Sequence, residues 1–300
     1  MFPLRIYLFG KFKIECHEQV LAGLEARRAQ ELLSYLLLYR DRAHSREVLA
    51  DLLGNHEHGV DVRKSFRQAL WRLQTALDSR PELRDCCLLW VEPDWIQLNP
   101  KVAFWLDVAE FEAAFGAVHN IQVEKLEPHH IQTLNSALTL YRGDLLTGCY
   151  QDWCLLERER LQDMYLTMLD RLMAYYECNQ DYQTGIAYGI RILGYDRARE
   201  STHRQLMRLY YGAGYRIKAL RQYEQCAAIL EQELGVEPGQ RTQALYQRII
   251  ANHLDRLPMD TATLESAAVS GLQDQLTQLR ADLATMEHRI QAVERALKGE

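Results

Sequence analysis

Three observations predict a mainly α chain. Short strands, three helices and a β-hairpin fill the first 105 residues, a helical repeat with an offset of 34 follows Leu106, and an unbroken heptad run closes the chain. The expected architecture is an N-terminal winged helix-turn-helix (α+β) over 1–105 and a tetratricopeptide-like α-solenoid over 106–257. A linker over 258–270 and a C-terminal coiled-coil helix over 271–300 complete it. The composition agrees. Of 300 residues, 48% are hydrophobic and 25% charged, which is globular usage and excludes a disordered chain.

In the first third, Leu4–Phe9 and Phe12–Glu15 are aromatic and aliphatic runs separated by Gly10-Lys11, and read as two strands. Ala26–Tyr39 carries Ala29, Leu32, Leu33, Leu36 and Leu37 at helical spacing. Ser45 is placed to cap a second helix, with Glu47 in its first turn and Gly54 after its end. Asp61 is placed to cap a third, whose apolar stripe is Val62, Phe66, Ala69, Leu70, Leu73 and Leu77. Cys87–Val91 and Trp95–Leu98 flank the turn Glu92-Pro93-Asp94 and read as a hairpin.

Beyond Leu106 the pattern is helix after helix. At an offset of 34, Leu172-Met173 matches Leu206-Met207, Tyr176 matches Tyr210, and Gly185-Ile186 matches Ala219-Leu220. Small residues at 185 and 219 let paired helices approach closely, and the matched apolar positions bury against the next pair. The alternative is a non-repetitive helical bundle. After the Ala/Thr/Ser-rich linker come Val269, Leu272, Leu276, Leu279, Leu283, Met286, Ile290, Val293 and Leu297, spaced alternately three and four apart. This is an a/d seam expected to dimerise, the alternative being a helix folded back on its own solenoid. In a parallel pair Arg289 meets Glu294 favourably, whereas Asp282 meets Glu287 unfavourably.

Charge and chemistry narrow the function. The first 107 residues hold as many basic as acidic side chains, so the whole net charge of -6 falls in the remainder. That balance argues against coating nucleic acid along the entire surface but leaves room for a local basic face. One exists: Arg63, Lys64, Arg67, Gln68, Trp71 and Arg72 lie opposite the apolar stripe of the third helix, with Asp61 the only acid in 60–72. Arg and Gln suit bidentate contacts with guanine and adenine edges, and the start of a second helix-turn-helix helix points at bases. Arg63, Lys64 and Arg67 are therefore expected innermost. Phosphate contacts are expected from Arg27 and Arg28 at the first helix start, and from Arg42, Ser45 and Arg46 at the second. The acidic hairpin tip is a poor candidate for minor-groove entry.

Other chemistry is weakly marked. His44, His56, Glu57 and His58, or His129-His130, lack a convincing metal spacing, so no metal is expected. No phosphate loop, nucleophile elbow or Cys/His arrangement is readable, so neither catalysis nor a cofactor is expected. Seven cysteines, an odd number without ligand spacing, read as reduced thiols in a cytosolic protein. The apolar run Leu32–Tyr39 is interrupted by Ser34 and far too short for a membrane span, and the first ten residues do not read as a secretory signal.

These residues resemble a known family. Leu4-Arg5-Ile6-Tyr7-Leu8-Phe9-Gly10, then 28–36 (RAQELLSYL) and 45–53 (SREVLADLL), are similar to activators of the Streptomyces antibiotic regulatory protein (SARP) type. So are 65–73 (SFRQALWRL) on the third helix and Leu98-Asn99-Pro100 at the end of the wing. Asp107-Val108-Ala109-Glu110-Phe111, 140–146 (LYRGDLL), Asp152-Trp153 and 157–161 (ERERL) resemble the bacterial transcriptional activator domain of that family. Leu234-Gly235-Val236-Glu237-Pro238 and Ala244-Leu245-Tyr246 do likewise. The resemblance covers about 4–254 and leaves the heptad tail outside. It departs at Gly54, where the family usually has Trp, and in 55–60.

The resemblance implies a cytoplasmic, nucleoid-associated activator that binds direct promoter repeats in double-stranded DNA, often as two protomers side by side, and engages RNA polymerase. It places base contacts on the third helix at Arg63, Lys64, Arg67, Gln68 and Arg72. No nucleotide-binding domain follows, so ATP-dependent control is not expected. The competing reading is a protein-interaction scaffold whose winged helix does not bind DNA.

Overall fold

The computed structural model describes residues 4–54, 61–80, 83–84 and 87–252. In β1 (Leu4–Tyr7), Leu4 and Ile6 are buried while Arg5 and Tyr7 are half-buried, the period-two pattern of a strand with one core face. It pairs antiparallel with β2 (Lys13–Cys16), which pairs with β3 (Gln19–Val20). A fourth strand arrives from far along the chain: β7 (Trp105–Leu106) lies parallel to β1, with Leu106 opposite Ile6. The sheet order is β3-β2-β1-β7.

Three helices follow: α1 (Arg27–Leu38), α2 (Arg46–Leu53) and α3 (Val62–Asp78). Ala29, Leu32, Leu33, Leu36 and Leu37 of α1 are buried, as are Phe66, Ala69, Leu70, Leu73 and Leu77 of α3. The two stripes pack on each other, and α2 packs on α3. The wing is a second sheet in the order β4 (His44–Ser45), β6 (Trp95–Leu98), β5 (Leu89–Val91).

The helix starts differ from expectation in one case. Asp61 caps α3, its carboxylate accepting from Lys64 N at 3.1 Å. Ser45 occupies the N-cap position of α2 but its side chain makes no cap bond, because its backbone belongs to β4 opposite Trp95. His44, beside it, is buried; its Nε2–H donates to Tyr39 O at 2.9 Å and its ring lies against Tyr35. Burial lowers its pKa, partly offset by the bond to Tyr39. The unfolded chain therefore binds the proton first. Stability held in full above the ordinary imidazole pKa falls as pH drops through it. Denaturant titrations across this window should show that loss in the native sequence and less of it in His44→Asn.

The helical region comprises α4 (Asp107–Val118), a 3-10 turn (Val123–Lys125), α5 (Pro128–Leu140), α6 (Asp152–Cys178), α7 (Tyr182–Leu193), α8 (Glu200–Gly212), α9 (Arg216–Leu234) and α10 (Gln240–Ile250). Helices α6 to α9 pack in succession. Leu172, Met173, Leu206 and Met207, matched at the 34-residue offset, are all fully buried. Close approach depends on α7: a Cβ on Gly189 would meet Leu206 and Met173 side-chain atoms at 2.7 Å, and one on Gly185 would meet Leu209 at 3.1 Å. The chain divides after Tyr246 into two units. The residues of the heptad seam lie outside the described residues.

The winged part and the helical region meet along a seam of buried polar and aromatic groups. The Asp107 carboxylate, only 2% exposed, accepts from Leu8 N, Phe9 N and Val108 N at 2.8–3.0 Å. Gly10 N donates to Asp144 O, and Leu146 N to Leu8 O. Phe9 packs on Phe111 and Tyr141, and Tyr35 on Trp153. Arg158 donates to the carbonyls of Leu145, Leu146 and Cys149, fixing the loop before α6. Tyr39 donates to Glu157 Oε1 at 2.8 Å, and Arg160 reaches Glu112 and Glu157. The stretches 107–111, 140–146 and 157–161 are thus seam residues.

Candidate nucleic-acid interface

Burial of the apolar stripe fixes the azimuth of α3 and turns its opposite face outward. Arg63, Lys64, Arg67, Gln68, Trp71 and Arg72 are all exposed. Trp71 is 64% exposed, which is unusual for a large aromatic side chain. The six positions recur at three- and four-residue intervals and form one ridge over about two turns.

The first turn of α3 borders a groove shared with α2 and the wing. Arg46 and Glu47 of α2, Arg63 and Arg67 of α3 and Pro93 of the hairpin tip line it. Glu47 sits 3.6 Å from Arg63, both side chains being about four-fifths exposed, so this ion pair is weak and easily displaced. The groove also holds Asp51 and Asp61, which with Glu47 balance the charges of Arg46, Arg63 and Arg67, so the cationic surface is the outward ridge of α3 rather than the groove itself.

The remaining sequence candidates are placed unevenly. Arg46 is half-buried: its backbone N–H donates to Asp94 O, its side chain donates to Glu92 O at 3.1 Å, and its guanidinium lies over the Phe66 ring. It therefore ties the wing to α3. Arg42 is exposed, with its guanidinium 5.1 Å from the Tyr39 ring centroid. Ser45 is half-buried in β4. Arg27 and Arg28 start α1; Arg27 is paired with Glu31 at 2.8 Å and lines a different cleft, beside Phe12 and Cys149. The structure thus brings Arg46 to the α3 groove and places Arg27 elsewhere.

Two wing residues join the exposed surface without having been singled out in the sequence. Trp95 is 50% exposed and Trp90 41%. The alternation Trp95-Ile96-Gln97-Leu98 carries the signal, since Ile96 and Leu98 are buried and their neighbours face outward.

Among the described residues no three His, Cys, Asp or Glu side chains are grouped to hold an ion. His44 spends its Nε2 on Tyr39, as described. His130 Nδ1 accepts from Glu127 N and completes a capping box at the start of α5, and His129 lies 3.2 Å from the Glu127 carboxylate. His56, Glu57 and His58 lie outside the described residues. None of the described cysteines forms a disulfide. Among the described residues no helix is long and apolar enough to cross a membrane.

Known proteins share this arrangement. Residues 106–250 match the model of the bacterial transcriptional activator domain. The chain is 27% identical to the transcriptional regulatory protein MoaR1 of Mycobacterium tuberculosis, over 79% of this chain and 75% of that protein. It is 24% identical to the regulatory protein AfsR of Streptomyces coelicolor, over 84% of this chain and 25% of AfsR, so it spans about a quarter of that larger relative. Its fold matches that of Mycobacterium tuberculosis EmbR, solved with a low-affinity phosphopeptide, with a TM-score of 0.70 at 20% identity, covering 91% of this chain and 71% of EmbR. These sequence similarities place the chain among transcriptional regulators. More particularly, the chain carries a bacterial transcriptional activator domain over residues 106–250 and is similar in sequence to regulators that carry one.

Proposed function

We propose that this regulator is a cytoplasmic activator that binds promoter DNA sequence-specifically through α3 and engages RNA polymerase. The observation that carries the reading is the exposed ridge Arg63, Lys64, Arg67, Gln68, Trp71 and Arg72 on a helix whose other face is core. A helix presented this way fits the major groove, where Arg and Gln discriminate bases and Lys steers to phosphate. Arg42 supplies a further phosphate contact, and Trp90 and Trp95 give the wing an apolar surface against the sugar-phosphate backbone. The acidic tip residues Glu92 and Asp94 keep the wing out of the minor groove. No catalytic step is part of this function.

Helices α6–α9, with buried small residues Gly185 and Ala219 at matched positions, read as tetratricopeptide-like pairs that display a surface for polymerase. The heptad seam Leu272 to Leu297 pairs two chains, which raises occupancy of repeated sites through effective concentration. Sedimentation of a chain truncated after Arg256 tests this: a halved mass is expected, and an unchanged mass contradicts tail-driven pairing.

A scaffold without DNA affinity is the second reading, favoured by the acidic wing tip and the net-zero first third. Footprinting of genomic fragments at several salt concentrations separates the two. Discrete protected sites whose affinity falls steeply with salt are expected, because Lys and Arg release counterions from phosphates. No footprint, or binding that ignores salt, favours the scaffold.

A further inference from the structure

Cys149 and Cys154 are paired where the winged part meets the helical region. The two thiols are neighbours that interact with each other, Cys149 Sγ also donating to Glu31 Oε1 at 3.9 Å and Cys154 Sγ to Leu145 O at 4.0 Å. Both thiols are buried, yet Cys149 forms one wall of a 250 Å³ cleft with Phe12, Arg27, Gln30 and Glu31, so a small solute can reach it. Cys154 lies deeper, in the first turn of α6, and is completely inaccessible. Arg158 holds the pair in place, donating to Cys149 O at 2.9 Å and lying 4.0 Å from Cys154 Sγ.

We propose that Cys149 and Cys154 are a modification site, a dithiol that a peroxide oxidises reversibly to a disulfide. Contact with Cys154 and with the Gln151 N–H holds the Cys149 thiol below its ordinary pKa against the opposing effects of burial and the Glu31 carboxylate, whereas contact with Cys149 and burial push Cys154 up. The accessible sulfur is therefore the one with thiolate character, which is what a peroxide attacks. Its electron pair forms an S–O bond while the peroxide O–O bond breaks; the leaving hydroxide takes a proton and departs as water. The Cys149 sulfur is then a sulfenic acid. Cys154 loses its proton and attacks that sulfur; the S–S bond forms, the S–O bond breaks and a second water leaves. Two thiols and one hydrogen peroxide give one disulfide and two waters.

The site has a structural readout. Cys149 Sγ lies 3.9 Å from the buried Glu31 carboxylate of α1, and the loop before it pairs through Leu146 and Thr147 with Leu8 and Gly10. Drawing Cys149 toward Cys154 takes the sulfur from Glu31, a change that touches both sides of the seam.

The test uses the full reduced chain exposed to stoichiometric hydrogen peroxide, then denatured, alkylated and digested with trypsin. Residues 143–158 (GDLLTGCYQDWCLLER) form one tryptic peptide containing both thiols and no others. The expected product is this peptide two hydrogens lighter, without alkyl groups, and restored by dithiothreitol. Cys154→Ser should instead stop at a Cys149 sulfenic acid that dimedone captures, and Cys149→Ser should leave Cys154 alkylatable. Circular dichroism of both reduced variants checks that they remain folded. Oxidation of exposed Cys87 while the 143–158 peptide keeps two alkylatable thiols overturns the proposal, as does equal dimedone capture at Cys149 and Cys154 in the native chain.

Discussion

The Arg63→Ala/Arg67→Ala double variant should bind the promoter site roughly a hundredfold more weakly than the native chain while melting at nearly the same temperature. Each bidentate contact to a base edge is worth about 1–3 kcal/mol, and two lost together reach that factor. Stability is spared because both side chains project from the outer face of α3 and leave its core residues Phe66, Leu70 and Leu73 in place. Arg63 gives up only its exposed pairing with Glu47, worth about 0–1 kcal/mol at most. Alanine also favours the helix. Fluorescence anisotropy with matched and mismatched duplexes, alongside thermal melts, separates the two effects. Lys64→Ala should behave differently, weakening all sequences alike and reducing the salt dependence.

Asp107→Ala should have the opposite signature, with a large loss of stability felt across the whole first unit. The carboxylate accepts from three backbone N–H groups at the point where β7 passes into α4. Burial pushes its pKa up, and the Phe9, Leu8 and Val108 N–H groups pull it back. Alanine leaves buried donors on Leu8 and Phe9 without an acceptor, at about 1–3 kcal/mol each, so a loss of roughly 3–5 kcal/mol is expected. Chemical denaturation checks this through a lower midpoint at unchanged slope. A loss below about 1 kcal/mol would mean that water or neighbouring groups replace the carboxylate, and that the seam does not depend on it.

What the sequence made legible follows from periodicity. The buried stripes of α1 and α3 appear where 3.6-residue spacing places them, and the Asp61 cap was readable because capping is a local interaction three residues long. The hairpin was legible from its turn tripeptide and alternating flanks. Long-range pairings left no such trace. The two-residue strand Trp105–Leu106 owes its existence to β1, almost a hundred residues earlier, and Ser45 was drawn into β4 by Trp95 rather than capping α2. Arg46 looked like a solvent-facing cation because its wing-tip carbonyl partners are about fifty residues away. On α3 the whole ridge was readable, since one face of one helix is a local property. The role of Asp107 emerges only when its three donors are assembled in space.

The central claim is that the α3 ridge reads nucleobases. Selection of bound duplexes from a random pool by the full chain, run in parallel with the Arg63→Ala/Arg67→Ala variant, tests it most directly. A short enriched motif for the native chain, flattened at the positions those arginines contact in the variant, is the predicted result. A pool that stays random, or a motif that both proteins enrich equally, would contradict it.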